Sequence, residues 1–214
     1  DAMPDIFSSY ADTAYEIELA GALADLSGYL SQKELDQYVD SYIEEGRIAA
    51  DESLRIFPTA KSTETRMLNK TDWEPFAQAT GASLDDLATI EGVTAAAQSY
   101  YQWTDSLTPD VPGDGKALYG RDAVANYFII GMQQLGVEIF QVENGEMTLN
   151  TPREELHRLW ENYYVPTVKG YFGAYGSFRS DDVKTGDILA YTGSTSSAMY
   201  FPDQVELDSG SHPI

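Results

Sequence analysis

The sequence contains no cysteine, so it can form no disulfide, no thiolate nucleophile and no zinc–thiolate site. Basic residues are scarce: 13 Lys and Arg stand against 35 Asp and Glu, a formal net charge of −22. A surface of this sign repels phosphate backbones and anionic membranes, which disfavours nucleic-acid and membrane-surface binding. We interpret the acidity as a solvated, self-repelling surface that keeps the protein in solution.

Long apolar runs are also missing, and none approaches the ~20 residues of a membrane span. The opening residues, DAMPDIF, do not form a signal peptide, so we expect a targeting segment to have been removed if the protein is exported. Hydrophobic residues make up 43% of the 214, and aromatic residues 12%, as in folded globular proteins. The length suits one domain or two small ones.

The stretch over residues 56–81 carries the most informative pattern. An apolar pair and a proline at 56–58 precede a polar segment, which leads into a strand-like run over 64–68. Residues 71–74, Thr-Asp-Trp-Glu, have the spacing of a helix capping box, and Gly81 is placed to end that helix. The predicted order is strand, polar crossing, strand and capped helix.

Before this stretch, residues 3–7 are typical of a short strand, and Asp12 is placed to cap a helix that continues to about Gly21. Residues 31–34 form a capping box for a helix predicted to run to Glu45. Its inner stripe is expected at five apolar positions of helical spacing: Leu35, Tyr38, Val39, Tyr42 and Ile43.

The middle of the chain is predicted to be mostly helical. A capped turn over 83–86 precedes helices over 92–103 and 123–135, and the second helix is apolar on most sides, as in a buried helix. The loop over 104–115 has aspartates but lacks the full ligand alternation of a calcium loop, so a plain turn is predicted. Asn144-Gly145 between two apolar runs predicts a type I′ hairpin.

The last third opens with Thr151-Pro152-Arg153-Glu154, which combines an N-cap, a proline at the first helical position and a capping box. A strand is predicted over 187–191, followed by Gly193-Ser194. A nucleophile elbow would need Gly-x-Ser-x-Gly with a base at hand, and this segment does not supply it.

Several of these motifs together resemble the extracellular solute-binding proteins of ABC importers (family 1). The resembling motifs, in order, are PDIF at 4–7, FP at 57–58, TDWEPFAQAT at 71–80, GRD…AN at 120–126, LG.EIF at 135–140 and GDI.A..GS at 186–194. The resemblance implies an α/β, periplasmic-binding-protein-like (type II) fold. It also implies a division into residues 1–61, a remnant of lobe one with the first crossing segment, and 62–214, a nearly complete lobe two.

In function, the resemblance implies a monomeric protein that captures a small polar solute, with a sugar or oligosaccharide favoured, between two lobes and delivers it to ABC permease subunits. It implies no catalysis, no cofactor and no metal, and a position outside the cell, tethered to the membrane by an anchor that this chain lacks. Because members are about twice this length, we expect little or no solute affinity from the chain by itself.

Candidate ligand-binding residues follow from the matching positions. The resemblance gives the crossing residues, the ends of strands and the aromatic residues able to stack on a sugar ring: Tyr10, Asp12, Lys61, Ser62, Thr63, Glu64, Tyr119, Arg121, Asn126, Tyr175, Arg179, Ser194 and Thr195. Asp12 is equally consistent with a helix cap, and Arg121 with an ion pair to a nearby acid. The charges of Lys61 and Glu64 also suit a solute other than a neutral sugar.

Two other classes of function stay open. A glycoside hydrolase would need two carboxylates facing each other across a cleft, and 35 acidic residues make chance pairs abundant. A surface interaction module would use the acidic face or an exposed apolar patch.

Overall fold

Two units of unequal size make up the protein, Asp1–Lys61 and Ser62–Ile214. They are seen in a computed structural model that describes residues 4–143 and 146–214. No described helix is both long and apolar enough to cross a bilayer.

The first unit is built from three short helices joined by irregular segments: α1 (Ala11–Leu19), α2 (Gln32–Leu35) and α3 (Asp40–Glu44). Its core consists of Leu35, Ile43 and Leu54, with Phe57 packed against them. Residues 4–61 contain no strand, so the strands predicted at 3–7 and 56–57 are wrong over the described residues. The apolar patterns are real, but a strand forms only where a neighbour accepts its ladder hydrogen bonds.

The helix predicted over 31–45 is split in two. Its capping box is confirmed, because the Ser31 N–H and hydroxyl both donate to Glu34 Oε2 at 2.8 Å. However, α2 ends at Leu35, and the break before α3 turns Tyr38, Val39 and Tyr42 outward, so the predicted inner stripe is wrong for these three. In α1, Tyr10 rather than Asp12 is the N-cap, and the Asp12 carboxylate accepts from the Thr13 N–H inside the first turn at 2.7 Å.

The second unit is mixed α/β. Its strands are β1 (Glu64–Leu68), β2 (Tyr119–Arg121), β3 (Phe140–Glu143), β4 (Glu146–Leu149), β5 (Ala190–Ser194), β6 (Gln204–Leu207) and β7 (Gly210–Pro213). Its helices are α4 (Lys70–Thr80), α5 (Ile90–Ser106), α6 (Val124–Gln134), α7 (Arg153–Glu161), α8 (Tyr164–Val168) and α9 (Arg179–Lys184). Short 3₁₀ helices span Leu84–Ala88 and Thr195–Tyr200.

The central sheet has the order β1-β5-β2, with β5 antiparallel to β1 and parallel to β2. The segment around Phe172 extends it beside Tyr119. The main core lies between this sheet and helices α4 and α5, where Phe76 and Tyr100 meet edge to face at 5.3 Å. The remaining strands pair as two separate hairpins, β3-β4 and β6-β7.

Local signals around the sheet are mostly confirmed. Strand β1 has its predicted limits, and Gly81 ends α4 in the left-handed conformation at φ 77°. The start of α4 was predicted wrongly: Asn69 is the N-cap, accepting from the Asp72 N–H at 3.0 Å, so Thr71 lies within the first turn. The capping box of the 83–86 turn is confirmed.

Three further predictions need correction. The helix after residue 123 buries only one face, since Val124 and Ile129 are 39% and 40% exposed. In α7 the N-cap is Pro152, whose extended ψ of 137° keeps Thr151 outside the helix. The last central strand begins at Ala190, three residues later than predicted. The hairpin β3-β4 is present, but its predicted Asn144-Gly145 turn lies outside the described residues.

A cleft at the edge of the central sheet

Three strand ends converge at one edge of the central sheet. The parallel strands β2 and β5 end there at Arg121 and Ser194, and the antiparallel strand β1 begins there at Glu64, which lies opposite Ser194. The register also places Arg66, Thr192 and Arg121 in one row across the three strands. Ligands of open α/β sheets bind at the carboxyl ends of parallel strands, so this edge is the place to look for a site.

The edge is held by an ion pair between Arg121 and Glu64, whose side chains are 11% and 13% exposed. The Asn126 amide, from the first turn of α6, donates to the other Glu64 oxygen at 3.0 Å. The Arg121 guanidinium also lies over the Tyr127 ring, 5.2 Å from its centroid. Within the described part of the chain, the buried Arg121 Nε–H has no acceptor.

This edge opens into a cavity of about 670 Å³. Its sheet side is lined by Thr63, Glu64, Thr65, Arg66, Arg121 and Thr192, and its helix side by residues of α5, α6, α7 and the segments beside them: Ala88, Thr89, Ile90, Glu91, Tyr127, Ile130, Gly131, Gln134, Leu135, Arg158, Leu159 and Asn162. The volume is in the range of small-molecule sites, and the mixture of apolar wall and converging polar groups is typical of them.

A second ion pair crosses the cavity rim between α7 and α5. Arg158 Nη2 and Nε donate to Glu91 Oε1 at 2.7 and 2.9 Å, with side chains 57% and 44% exposed. The hydrogen bonds from Arg158 hold the pKa of the Glu91 carboxyl below its ordinary value. Glu91 therefore stays ionised at neutral pH and acts as a hydrogen-bond acceptor there.

Below the row of strand residues, Tyr119 is completely buried, and its hydroxyl donates to Thr192 Oγ1 at 2.7 Å. The Arg66 guanidinium covers the ring, 5.7 Å from its centroid, and also donates to the Leu87 carbonyl. Tyr119 thus supports the floor of the cavity through Thr192 and Arg66.

Six of the predicted site residues lie together at this edge: Thr63, Glu64, Arg121, Asn126, Ser194 and Thr195. The main chains of Thr63 and Thr195 are joined, with the Thr195 N–H donating to the Thr63 carbonyl at 2.8 Å. The Ser196 N–H donates to the Ser194 hydroxyl at 3.2 Å. The N–H groups of Thr195 and Ser196 are therefore already used within the protein.

Three other predicted residues of the second unit, Arg179, Tyr119 and Tyr175, lie elsewhere. Arg179 is 4% exposed and forms a buried pair with Asp182 at 2.9 Å, which also accepts the N–H of Gly176 at 2.6 Å. The Arg179–Asp182 pair therefore holds the loop that contains Gly176. Tyr119 has no free ring face, so the predicted stacking by Tyr119 is not supported. Tyr175 is 63% exposed but does not line the cavity.

In the first unit, Tyr10 is exposed at the start of α1, and Asp12 follows in the first turn. Lys61 pairs with Glu45 and lies 5.8 Å from the centroid of the Tyr42 ring. Ser62, the first residue of the second unit, is exposed. Ligand contacts by these four residues stay predictions.

The polar residues of the cavity that the sequence analysis missed include Arg66, Thr192, Glu91 and Arg158. Arg66 and Thr192 lie on strands. Because side chains two residues apart on a strand share a face, the prediction of Glu64 could have been extended to Arg66. Glu91 and Arg158 are 67 residues apart on two helices, and no local pattern pairs them. The described residues contain no group of His, Cys, Asp or Glu suited to a metal ion.

The second unit is thus an α/β fold in which the polar carboxyl edge of the central sheet opens on a cavity flanked by helices. The chain belongs to the family described as bacterial extracellular solute-binding protein, whose model matches residues 1–204. The family expectation from the motifs is confirmed. A search of curated proteins finds no significant match.

Two solved structures show the same fold. One is the galacto-N-biose/lacto-N-biose I-binding protein of an ABC transporter from Bifidobacterium longum, in complex with lacto-N-biose, with a TM-score of 0.62 and 12% identity over 92% of this chain and 51% of that one. The other is UgpB from Mycobacterium tuberculosis in complex with glycerophosphocholine, with a TM-score of 0.60 and 17% identity over 86% and 45%. The chain spans about half the length of these structures, and the expected fold class is confirmed.

Proposed function

We propose that this chain is part of the solute-binding component of an ABC importer, which captures a small polar solute, with a sugar or oligosaccharide favoured, and delivers it to membrane permease subunits. The observation that carries the proposal is the 670 Å³ cavity at the carboxyl edge of the sheet, lined by the Glu64–Arg121 pair, with Asn126 hydrogen-bonded to Glu64. Family membership and two neighbours that are binding proteins, one for lacto-N-biose, support it.

Within the second unit, Glu64, Arg121 and Asn126 are the proposed solute contacts, and Thr63, Ser194 and Thr195 complete the edge. Paired charges and an amide held by one another are pre-ordered donors and acceptors for sugar hydroxyls, so little side-chain entropy is lost on binding. Working as a monomer, the protein would close on its solute outside the cell, tethered to the membrane surface.

A binding role is favoured over glycoside hydrolysis by the state of the cavity carboxylates. A hydrolase needs a general acid whose pKa is raised so that it holds a proton near neutral pH. The hydrogen bonds from Arg158 lower the pKa of Glu91 instead, and Glu64 is paired with Arg121. Both carboxylates are therefore arranged to accept hydrogen bonds, and we propose that the protein is not an enzyme.

The proposal is tested by NMR titration of the ¹⁵N-labelled 214-residue chain with mono- and disaccharides, polyols and amino acids, because amide shifts detect weak binding residue by residue. We expect a sugar to move the amides of the sheet edge, including Glu64 and Arg121. Glu64→Gln should weaken that binding about tenfold, since it loses charge-assisted hydrogen bonds.

Glu74→Gln is the matched control, because it removes the same charge from a side chain that is 58% exposed on α4, away from the cavity. Its affinity should equal that of the unmodified chain. No shift with any solute, together with release of reducing ends from an oligosaccharide, would overturn the proposal in favour of a hydrolase.

A further inference from the structure

The cavity differs in charge from the rest of the protein. Three of the 13 Lys and Arg residues line it, namely Arg66, Arg121 and Arg158, against two carboxylates, Glu64 and Glu91. The cavity therefore carries a net charge of +1, whereas the whole chain carries −22. A random share of the chain's charges would make this lining acidic.

The surplus charge can be assigned to one residue. Arg121 is neutralised by Glu64, and Arg158 by Glu91. Arg66 has no carboxylate partner among the described residues: its guanidinium donates to the Leu87 carbonyl and covers the Tyr119 ring. A guanidinium has five N–H donors, so Arg66 keeps donors for a ligand.

The strand register gives this cation a binding geometry. Arg66 and Arg121 flank Thr192 in one row across β1, β5 and β2, with Arg66 opposite Thr192 and Thr192 opposite Arg121. The Thr192 hydroxyl already accepts from the Tyr119 hydroxyl at 2.7 Å, so its own hydrogen is free to point elsewhere. Two guanidiniums with a hydroxyl between them present fixed donors suited to a planar or tetrahedral oxyanion.

Helix α5 adds a positive electrostatic potential to the same cavity. The 17-residue helix α5 begins at Ile90, and its first residues line the cavity, so the positive end of its dipole lies at the same site. Repulsion from the acidic surface is screened beyond a Debye length of about 8 Å at physiological salt. At contact distance the local charge decides which ligand is bound.

We propose that the cavity selects a solute bearing an oxyanion, such as a sugar with a phosphate ester or a carboxylate, over the same sugar without it, and that Arg66 is the specificity-determining residue. This inference rests on the proposed function and narrows its solute class. Arg121 assists as the second guanidinium of the row.

The test compares glucose, glucose 6-phosphate and glucuronate in the same NMR titration of the 214-residue chain at 0.15 M salt. We expect the two anionic sugars to bind at least about tenfold more tightly than glucose, with the largest shifts at Arg66, Thr192 and Arg121. The two anionic arms distinguish a phosphate ester from a carboxylate.

Arg66→Gln should remove most of this preference, and Arg66→Lys, which keeps the charge but loses the fork of donors, should restore part of it. Arg153→Gln is the charge-matched control, since Arg153 is exposed on α7 and does not line the cavity. Thermal unfolding of each variant verifies that it is folded.

Glucose binding as tightly as the anionic sugars at the same amides would overturn this inference and leave the proposed function standing. An equal loss of affinity in Arg66→Gln and Arg153→Gln would overturn it too, since only the overall charge would then matter. If the anionic and the neutral solutes of the wider panel bind but move only amides outside the cavity, both proposals fail.

Discussion

Removal of the Arg121 guanidinium would test how much the ion pair at the cavity rim stabilises the second unit. Arg121→Met keeps much of the side-chain length but leaves Glu64, whose side chain is 13% exposed, without its cation. Breaking a buried pair by removing one partner costs roughly 3–5 kcal/mol. Because the Asn126 amide still donates to Glu64 at 3.0 Å, we expect the lower end of that range, about 3 kcal/mol.

The same cavity offers a matched control. Arg158→Met breaks the pair with Glu91, but those side chains are 57% and 44% exposed, and exposed pairs contribute about 0–1 kcal/mol. The double variant Glu64→Gln/Arg121→Met should recover much of the loss, because it leaves no buried charge without a partner.

Urea unfolding followed by tryptophan fluorescence measures the effect. All three tryptophans, Trp73, Trp103 and Trp160, belong to the second unit, so the signal reports its unfolding. With a denaturant slope of about 2 kcal/mol per M, a loss of 3 kcal/mol lowers the midpoint by about 1.5 M.

Equal and small losses for Arg121→Met and Arg158→Met would refute the reasoning. They would show that solvent screens the Glu64–Arg121 pair as effectively as the exposed pair. A double variant less stable than Arg121→Met would refute it as well, because the unpaired charge would then not be the source of the loss.

Three further predictions concern the same unit. Tyr119→Phe should lower the unfolding free energy by about 1 kcal/mol, because it loses a buried hydrogen bond. The buried Tyr191 hydroxyl has no partner among the described residues, so Tyr191→Phe should raise the unfolding free energy by about 1 kcal/mol. The urea midpoints compare the two variants. Gly120→Ala should cost about 2 kcal/mol or more in the same assay, since a Cβ there would clash with a neighbouring backbone carbonyl. The hydrogen bonds from Arg158 lower the pKa of Glu91 and so stabilise the folded state while Glu91 is ionised. This stabilisation is complete above the unfolded pKa of about 4.3 and is lost as the pH falls through the lower folded pKa. The stability difference between the unmodified chain and Glu91→Gln should therefore shrink between pH 7 and pH 3.

Comparing Tyr119→Phe with Tyr191→Phe shows whether the effect of removing a hydroxyl depends on its hydrogen bond. Both rings are fully buried, and the Tyr119 hydroxyl has a hydrogen-bond partner whereas the Tyr191 hydroxyl has none among the described residues. Equal effects of the two substitutions would show that Tyr191 has a partner such as a bound water.

An unchanged midpoint for Gly120→Ala would mean that β2 and the segment beside it move apart at little cost.

The sequence by itself determined the features whose cause is local. The β1 limits follow from its composition, the end of α4 from Gly81, and the start of α2 from the Ser31–Glu34 capping box, because the groups that satisfy the terminal backbone lie within a few residues. The family motifs worked for the same reason, since each is a short contiguous pattern. Even so, the N-cap of α4 is Asn69 and not Thr71, because the Asn69 amide oxygen accepts from the Asp72 N–H.

Tertiary structure alone decided which of these elements meet. The row of Arg66, Thr192 and Arg121 joins three strands far apart in the chain, and only strand pairing sets its register. Tertiary structure also decided that Tyr119 and Arg179 are buried in the fold. A local sequence pattern does not show whether an aromatic ring or a guanidinium contacts a ligand or packs in the core. The pairing of Glu64 with Arg121 depends on a contact across 57 residues, which no local periodicity encodes.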